Sequence, residues 1–99
     1  PLTVEDRFPP SAPTGLNAVA GAGTVELSWN PNPEPDTFGY IVQRATASGE
    51  FKTIVPFLDA PAFTDRDVQR GARYRYAVIA LDLRKNQSLP SQEVEITLP

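Results

Sequence analysis

Short runs in which apolar and polar residues alternate are the dominant pattern along this chain. In residues 24–29, Val25, Leu27 and Trp29 share one face, whereas Glu26 and Ser28 share the other. Alternation with a period of two predicts a β-strand with one buried face. The same criterion, with turn residues as boundaries, predicts strands at 14–20, 24–29, 39–44, 51–55, 62–64, 74–80 and 93–98. Because no run of about ten residues has helical periodicity, the pattern indicates an all-β domain built from two packed sheets.

Proline residues, of which the chain has 11, mark segments that cannot be regular strands. Pro9, Pro10 and Pro13 predict a stiff, extended segment, because each proline fixes φ and biases the preceding residue away from helix. Residues 30–36 contain three more prolines and predict a loop. We therefore expect a proline-rich linker at 1–10 and a single domain at 11–99.

Length and composition limit the classes of protein to which this chain can belong. A chain of 99 residues is expected to form one domain with a modest core. Its 12 acidic and 9 basic residues leave a net charge of −3, which does not favour a nucleic-acid partner. The chain has no cysteine, so disulfides and cysteine-based metal sites are excluded. Since no long apolar run occurs, no membrane insertion of this segment is expected.

Candidate catalytic and metal-binding residues are few. Histidine and cysteine are absent, which removes the Ser–His–Asp and Cys–His catalytic systems. The acidic residues fall in predicted loops or on outward strand positions, so we expect surface carboxylates rather than a hydrolytic pair. Asp59, Asp65 and Asp67 do not have the spacing of an EF-hand loop, and Asp is an ordinary turn residue. We therefore expect no enzyme activity, no metal ion and no cofactor.

Several residues occur in an order that resembles the fibronectin type III family. Leu16 comes three residues after Pro13, as at the proline-plus-leucine start of the family's first strand. Trp29 ends an alternating second strand before a proline-rich loop. Tyr40 resembles the core tyrosine of the third strand, and Val68 with Tyr74 is similar to the corner between the fifth and sixth strands. The likeness covers about residues 9–98 and implies a seven-stranded antiparallel Greek-key β-sandwich of the immunoglobulin-like class, with four strands in one sheet and three in the other. It also implies that the Tyr74 hydroxyl bonds to nearby backbone.

The resemblance implies a non-catalytic spacer and protein–protein interaction module of a larger secreted or surface-anchored protein, in an extracellular or cell-envelope location. Its partners would be neighbouring domains of the same chain or another protein, and the segments 36–40 and 80–88 look like those of bacterial members. Arg-Gly-Asp, which carries integrin binding in some members, is absent, and the corresponding loop reads Leu-Arg-Lys-Asn-Gln at 83–87. Since the chain begins without methionine or a leader pattern, we expect it to be a piece of a longer protein.

An accessory carbohydrate-binding or substrate-positioning module attached to a secreted hydrolase is the alternative function. An exposed row of aromatic side chains would favour this alternative, because aromatic faces stack on ligands. Alternation instead places Trp29, Tyr40, Tyr74 and Tyr76 on inward faces, which favours core packing over a binding platform.

A possible interaction patch is apolar and faces away from the predicted core. It consists of five residues in the third and sixth strands, namely Ile41, Ala45, Ala77, Ile79 and Leu81. The outer face of a free sandwich is usually polar. Either flanking loops and Arg or Lys stems cover these residues, or they form a solvent-exposed docking patch for an adjacent domain or a second copy. The oligomeric state expected is a monomer or a weakly self-associating protein.

Overall fold

The secondary structure of residues 9–99, which the computed structural model describes, consists of strands without helices. The strands are β1 (Asn17–Ala20), β2 (Val25–Ser28), β3 (Thr37–Thr46), β4 (Lys52–Leu58), β5 (Ala62–Asp65), β6 (Arg73–Asp82) and β7 (Val94–Thr97). Each lies where alternation predicts a strand, although β3, β4 and β6 extend beyond the predicted ranges. Residues 1–8, most of the linker expected at 1–10, lie outside the described range, and within that range no helix could cross a membrane.

Two antiparallel sheets form the fold. Hydrogen bonds join β1, β2 and β5 in that order in one sheet, and β4, β3, β6 and β7 in the other. These sheets of three and four strands confirm the predicted β-sandwich. Strand β4 forms an edge and tolerates Pro56, because a proline at a sheet edge removes no necessary ladder hydrogen bond. The register of β4 against β3 shifts between Tyr40 and Val42, where a bulge accommodates the residues around Pro56.

The core lies between the inward faces of the two sheets. Its buried members are Val25, Leu27, Trp29, Tyr40, Val42, Tyr74, Tyr76, Val78, Ala80 and Leu98. Five further residues that alternation and resemblance place inside are partly buried and pack against this cluster: Leu16, Phe63, Val68, Val94 and Ile96. The ring of Trp29 meets the ring of Tyr40 edge to face, with the centroids 5.4 Å apart. This contact joins the two sheets within the core.

Two local predictions from the sequence are confirmed. The backbone N–H of Gln69 donates a hydrogen bond of 2.9 Å to the Tyr74 hydroxyl, which is the corner expected before β6. Alternation also predicts that Arg75 faces outward and, if the last two long strands form an antiparallel hairpin, lies near Glu95 or Glu93. Arg75 lies opposite Glu95 in the β6–β7 ladder, and its guanidinium is 3.5 Å from the Glu93 carboxylate. The strand phase is therefore the one that alternation predicts, with Arg75 directed away from the core.

A buried carboxylate ties the two sheets together beside the core. Asp65, at the end of β5, accepts hydrogen bonds from the Tyr76 hydroxyl at 2.7 Å and from Arg44 Nη1 at 2.8 Å. It also accepts the backbone N–H of Asp67 at 3.1 Å. Burial and the bond to Asp65 raise the pKa of Tyr76 well above its ordinary value, so the phenol remains a hydrogen-bond donor. Because the Asp65 carboxylate, the Tyr76 hydroxyl and the Arg44 guanidinium are bonded to one another, this cluster stabilises the fold and is not free for ligand binding.

Trp29→Ala should lower the free energy of unfolding by about 3–5 kcal/mol, because it removes a large buried side chain and leaves a cavity between the sheets. Urea denaturation followed by circular dichroism measures the change. Val19→Ala, at an exposed position of β1, is the control and should change the stability by less than about 0.5 kcal/mol. Near wild-type stability of the Trp29 variant would contradict its place in the core.

Asp65→Asn should destabilise the domain by about 3 kcal/mol, because it leaves the partly buried Arg44 without its countercharge. Asp67→Asn is the matched control, since the Asp67 carboxylate is exposed and 3.6 Å from the same guanidinium. An exposed pair of this kind contributes at most about 1 kcal/mol. The same denaturation experiment measures both variants. Equal losses of unfolding free energy would show that the burial of Asp65 does not make its ion pair with Arg44 stronger than the exposed one.

Candidate interaction surface

The outer face of the four-stranded sheet carries the five apolar residues that the sequence suggests as a patch. The β3–β6 register brings them together, since Ile41 lies directly opposite Ile79. Their exposed fractions are nevertheless only 3–9% of the residue surface, for Ile41, Ala45, Ala77, Ile79 and Leu81 alike. Of the two alternatives left open by the sequence, this burial agrees with covered residues and not with a solvent-exposed patch. A role of these residues in binding a partner stays a prediction.

The burial arises because β3 and β6 are the central strands of their sheet. Strand β3 lies between β4 and β6. Strand β6 lies beside β3 and, on its other side, pairs with β7 at 73–76 and with the segment 87–91 further along, so neighbouring side chains shield the small and branched residues between them. Ile41, Ile79 and Leu81 form a hydrophobic cluster of their own, separate from the main core. The ring of Phe57 lies against Gly39 at one end of this cluster, so closely that a Cβ at position 39 would overlap the ring. Exposed apolar surface begins at that end.

Two phenylalanines to which the sequence assigned no role form an exposed pair there. The ring centroids of Phe38 and Phe57 are 5.0 Å apart, and the ring planes are tilted by 37°. Their exposed fractions are 42% and 43%, and Leu83, in the loop after β6, is 64% exposed. The backbone N–H of Leu83 donates to the carbonyl of Asp36 at 3.0 Å, which holds that loop beside the start of β3. We refer to Phe38, Phe57 and Leu83 as the apolar end surface.

Sequence periodicity misses Phe38 for a physical reason. Strict alternation from Tyr40 places Phe38 on the inward face, but the β3–β6 register shifts between Thr37 and Gly39. Such an irregularity redirects a side chain relative to the regular pleat. The signal that could have found the pair is Gly39 itself, since a glycine inside a strand often marks close approach of another group to the backbone.

A hydrogen-bonded clamp fixes the proline segment (residues 9–13) to the loop before β3. The backbone N–H and the hydroxyl of Ser11 both donate to the Glu34 carboxylate. The side-chain amide of Asn32 donates to the Ser11 carbonyl at 2.7 Å and to the other Glu34 oxygen at 3.0 Å. The backbone N–H of Asn32 donates to the Tyr40 hydroxyl at 2.8 Å. The clamp is thereby connected to the core.

The negative charge of Glu34 is stabilised by this arrangement. The hydrogen bond from the Ser11 hydroxyl contributes most and, with the bond from Asn32, lowers the pKa of Glu34 from 4.5 to about 2. Pro10 and Pro13, on either side of Ser11, are buried, so apolar packing accompanies the polar contacts. The proline segment is therefore held against the sandwich by both kinds of interaction.

The clamp and the apolar end surface lie at the same end of the sandwich. Thr37 connects them, because its N–H and its hydroxyl both donate to the Glu34 carbonyl and Phe38 is the next residue. The four-residue step from Glu34 to Phe38 covers at most about 13–14 Å. The end at which the proline segment meets the sandwich is thus also the end that exposes aromatic side chains.

Asp82, a further acidic residue, is engaged in local structure. Among residues 9–99, no group of three His, Cys, Asp or Glu side chains is placed to hold a metal ion. Asp82 shapes the loop after β6, where its carboxylate accepts the backbone N–H groups of Arg84 and Asn86 at 2.9 and 2.8 Å. Lys85, between them, has a φ of 67°, a left-handed conformation that the surrounding turn stabilises. The loop is a structured turn closed by its own hydrogen bonds.

Comparison with known proteins finds segments of two kinds of hydrolase that are similar to this chain. No family model matches the chain. A segment of an amylopullulanase from Thermoanaerobacter thermohydrosulfuricus is 37% identical over 94 residues, which make up 94% of this chain and 6% of that enzyme. A segment of a poly(3-hydroxybutyrate) depolymerase from Ralstonia pickettii is 34% identical over 88 residues, 88% of this chain and 16% of that enzyme. The chain therefore spans a small fraction of the length of both relatives.

A solved structure of nearly the same length provides the family assignment. The Fn3-like protein from Clostridium thermocellum has a TM-score of 0.79 and 32% identity, covering 91% of this chain and 94% of that one. The match extends over both sheets and agrees with the tyrosine corner at Tyr74. The chain belongs to the fibronectin type III, or Fn3-like, family of β-sandwich domains.

Proposed function

We propose that this domain is a non-catalytic accessory module of a larger bacterial hydrolase, in which it holds an adjoining domain at a fixed separation and direction. Its partners are neighbouring domains of the same chain, and it uses no cofactor. The location we propose is the extracellular space or the cell envelope, where an enzyme reaches polymers that are too large to enter a cell.

The size of the matched segments supports this proposal. They make up 6% of the amylopullulanase and 16% of the depolymerase, so in these relatives the corresponding segment is a small part of a long chain. Two carboxylates of the domain are also engaged in structural hydrogen bonds. The Asp65 carboxylate accepts from Arg44 and Tyr76, and the Glu34 carboxylate accepts from Ser11. Carboxylates held in structural hydrogen bonds are poorly placed to transfer protons to a substrate.

The observation that carries the proposal is the clamp. A spacer sets the geometry of its neighbour only if the connecting chain is itself stiff and fixed to the body of the spacer. Here Ser11 is joined to Asn32 and Glu34 by three hydrogen bonds, and a further bond braces Asn32 against Glu34. Prolines on both sides of Ser11 restrict the backbone as well. The segment therefore has the properties that a spacer requires.

Carbohydrate binding, the alternative suggested from the sequence, has less support. Sites for small polar ligands combine an apolar surface with a few convergent polar groups that fix the ligand's orientation. The exposed rings of Phe38 and Phe57 are tilted by 37°, so they do not form one flat platform. A phenylalanine side chain also has no group that could bond to a sugar hydroxyl. The exposed pair is better suited to apolar contact.

Ser11→Ala should raise the pKa of Glu34 from about 2 toward 4.5, because the main hydrogen bond to the carboxylate is lost. NMR titration of the Glu34 side-chain carboxyl carbon measures this shift. Since the folded-state pKa is the lowered one, the stabilisation from Glu34 is complete above pH 4.5 and is lost as the pH falls to about 2. An unchanged pKa would show that Ser11 does not hold this carboxylate.

Glu34→Ala should release the proline segment and broaden the distribution of its distances to the sandwich by about twofold or more. The chain has no cysteine, so Pro9→Cys and Lys52→Cys, both at exposed positions, provide two unique spin-label sites. Double electron–electron resonance compares the widths of the distance distributions. Glu26→Ala, at an exposed position of β2, is the control and should leave the width unchanged. Equal widths with and without Glu34 would refute the spacer proposal as stated.

A further inference from the structure

We propose that the apolar end surface, formed by Phe38, Phe57 and Leu83, is the docking surface for the domain that adjoins this one through residues 1–8. The inference rests on the accessory-module function proposed above and names the partner: an apolar patch on the preceding domain of the same chain. Docking would fix how the two domains are rotated relative to each other. The clamp alone fixes only the direction in which the connecting chain leaves the sandwich.

The position of the surface is the first argument. The clamp holds Ser11 against Glu34, and Phe38 follows Glu34 by only four residues. Residues 1–8 span at most about 26–29 Å even when fully extended. A preceding domain whose chain ends at residue 1 is therefore confined to the neighbourhood of this end of the sandwich, where the exposed rings lie.

The exposed area is the second argument. With exposed fractions of 42%, 43% and 64%, the three residues present on the order of 300 Å² of surface, taking roughly 200 Å² for each. Interfaces between domains of one chain bury about 600–1,500 Å² in total, or about 300 Å² or more on each side. The apolar end surface matches the smaller contacts of this class.

The tether is the third argument. A short connection keeps the effective concentration of two linked domains in the millimolar range. A contact that would be too weak to hold two separate proteins together can then form reliably within one chain. A modest apolar surface is therefore sufficient for docking here.

Two other occupants fit the geometry less well. Pairing of β4 with a second copy is hindered at Pro56, which lacks the N–H that a new ladder would need and lies next to Phe57. A flat polymer surface would contact coplanar rings best, whereas Phe38 and Phe57 are tilted by 37°. A curved apolar patch on a neighbouring domain can follow this tilt.

Hydrogen–deuterium exchange tests the contact by comparing the full-length parent protein with the 99-residue chain alone. We expect amides at 37–40, 57–59 and 83–86 to exchange about tenfold more slowly in the full-length protein. Amides at 17–20, in β1 of the other sheet, should exchange at the same rate in both proteins.

Substitutions assign the protection to the named side chains. Phe38→Ser should abolish the slower exchange in the full-length protein, whereas Val19→Ser, which changes a residue 55% exposed on β1, should retain it. Leu83→Ser provides a second variant in a loop, so the test does not depend on the folding of the Phe38 variant. Loss of protection in the Val19 variant as well would contradict the assignment.

Three outcomes would overturn the proposal. The first is equal exchange in the full-length protein and the isolated chain. The spacer function would remain supported in that case if Glu34→Ala still broadens the distribution of spin-label distances. The second is protection that appears only when granular starch or poly(3-hydroxybutyrate) is added, which would assign the surface to a polymer. The third is protection of the isolated chain that grows with its concentration, which would assign it to a second copy.

Discussion

The edge-to-face contact of Trp29 with Tyr40 joins the two sheets, and the same tyrosine also organises the end of the domain where the proline segment is held. Its ring packs 5.4 Å from the indole, while its hydroxyl accepts the backbone N–H of Asn32. Asn32 then bonds to Ser11 and Glu34, which hold the proline segment. The Trp29–Tyr40 contact in the core is therefore linked to the proline segment. The link runs through the Tyr40 hydroxyl and the loop that contains Asn32, and it sets the direction in which the proline segment meets the sandwich.

Much of the fold could be predicted from the sequence, because one face of nearly every strand packs against the other sheet. Alternation then reports the inward face directly, as it does for Trp29 and Tyr76, and it also predicts the proximity of Arg75 to Glu95. It left the exposure of Ile79 open, because this residue points away from the core and is nevertheless buried. Alternation gives the direction of a side chain but says nothing about the neighbours that shield it on a central strand.

The candidate surface was harder to predict, because it depends on contacts between distant parts of the chain. Ser11 and Glu34 are 23 residues apart, and no local pattern records their hydrogen bonds. Phe38 is misplaced by strict alternation since the register shifts beside it, and its contact with Phe57 crosses from β3 to β4. Only Gly39 offered a local signal, because the ring of Phe57 occupies the space where a side chain would otherwise lie.

The chemistry of the clamp also determines how the module responds to acidity. With its pKa at about 2, Glu34 stays ionised in all but strongly acidic media, and its partners Ser11 and Asn32 do not titrate. The chain contains no histidine whose protonation could compete in mildly acidic conditions. The clamp would therefore hold the proline segment in the same way in neutral and in mildly acidic surroundings.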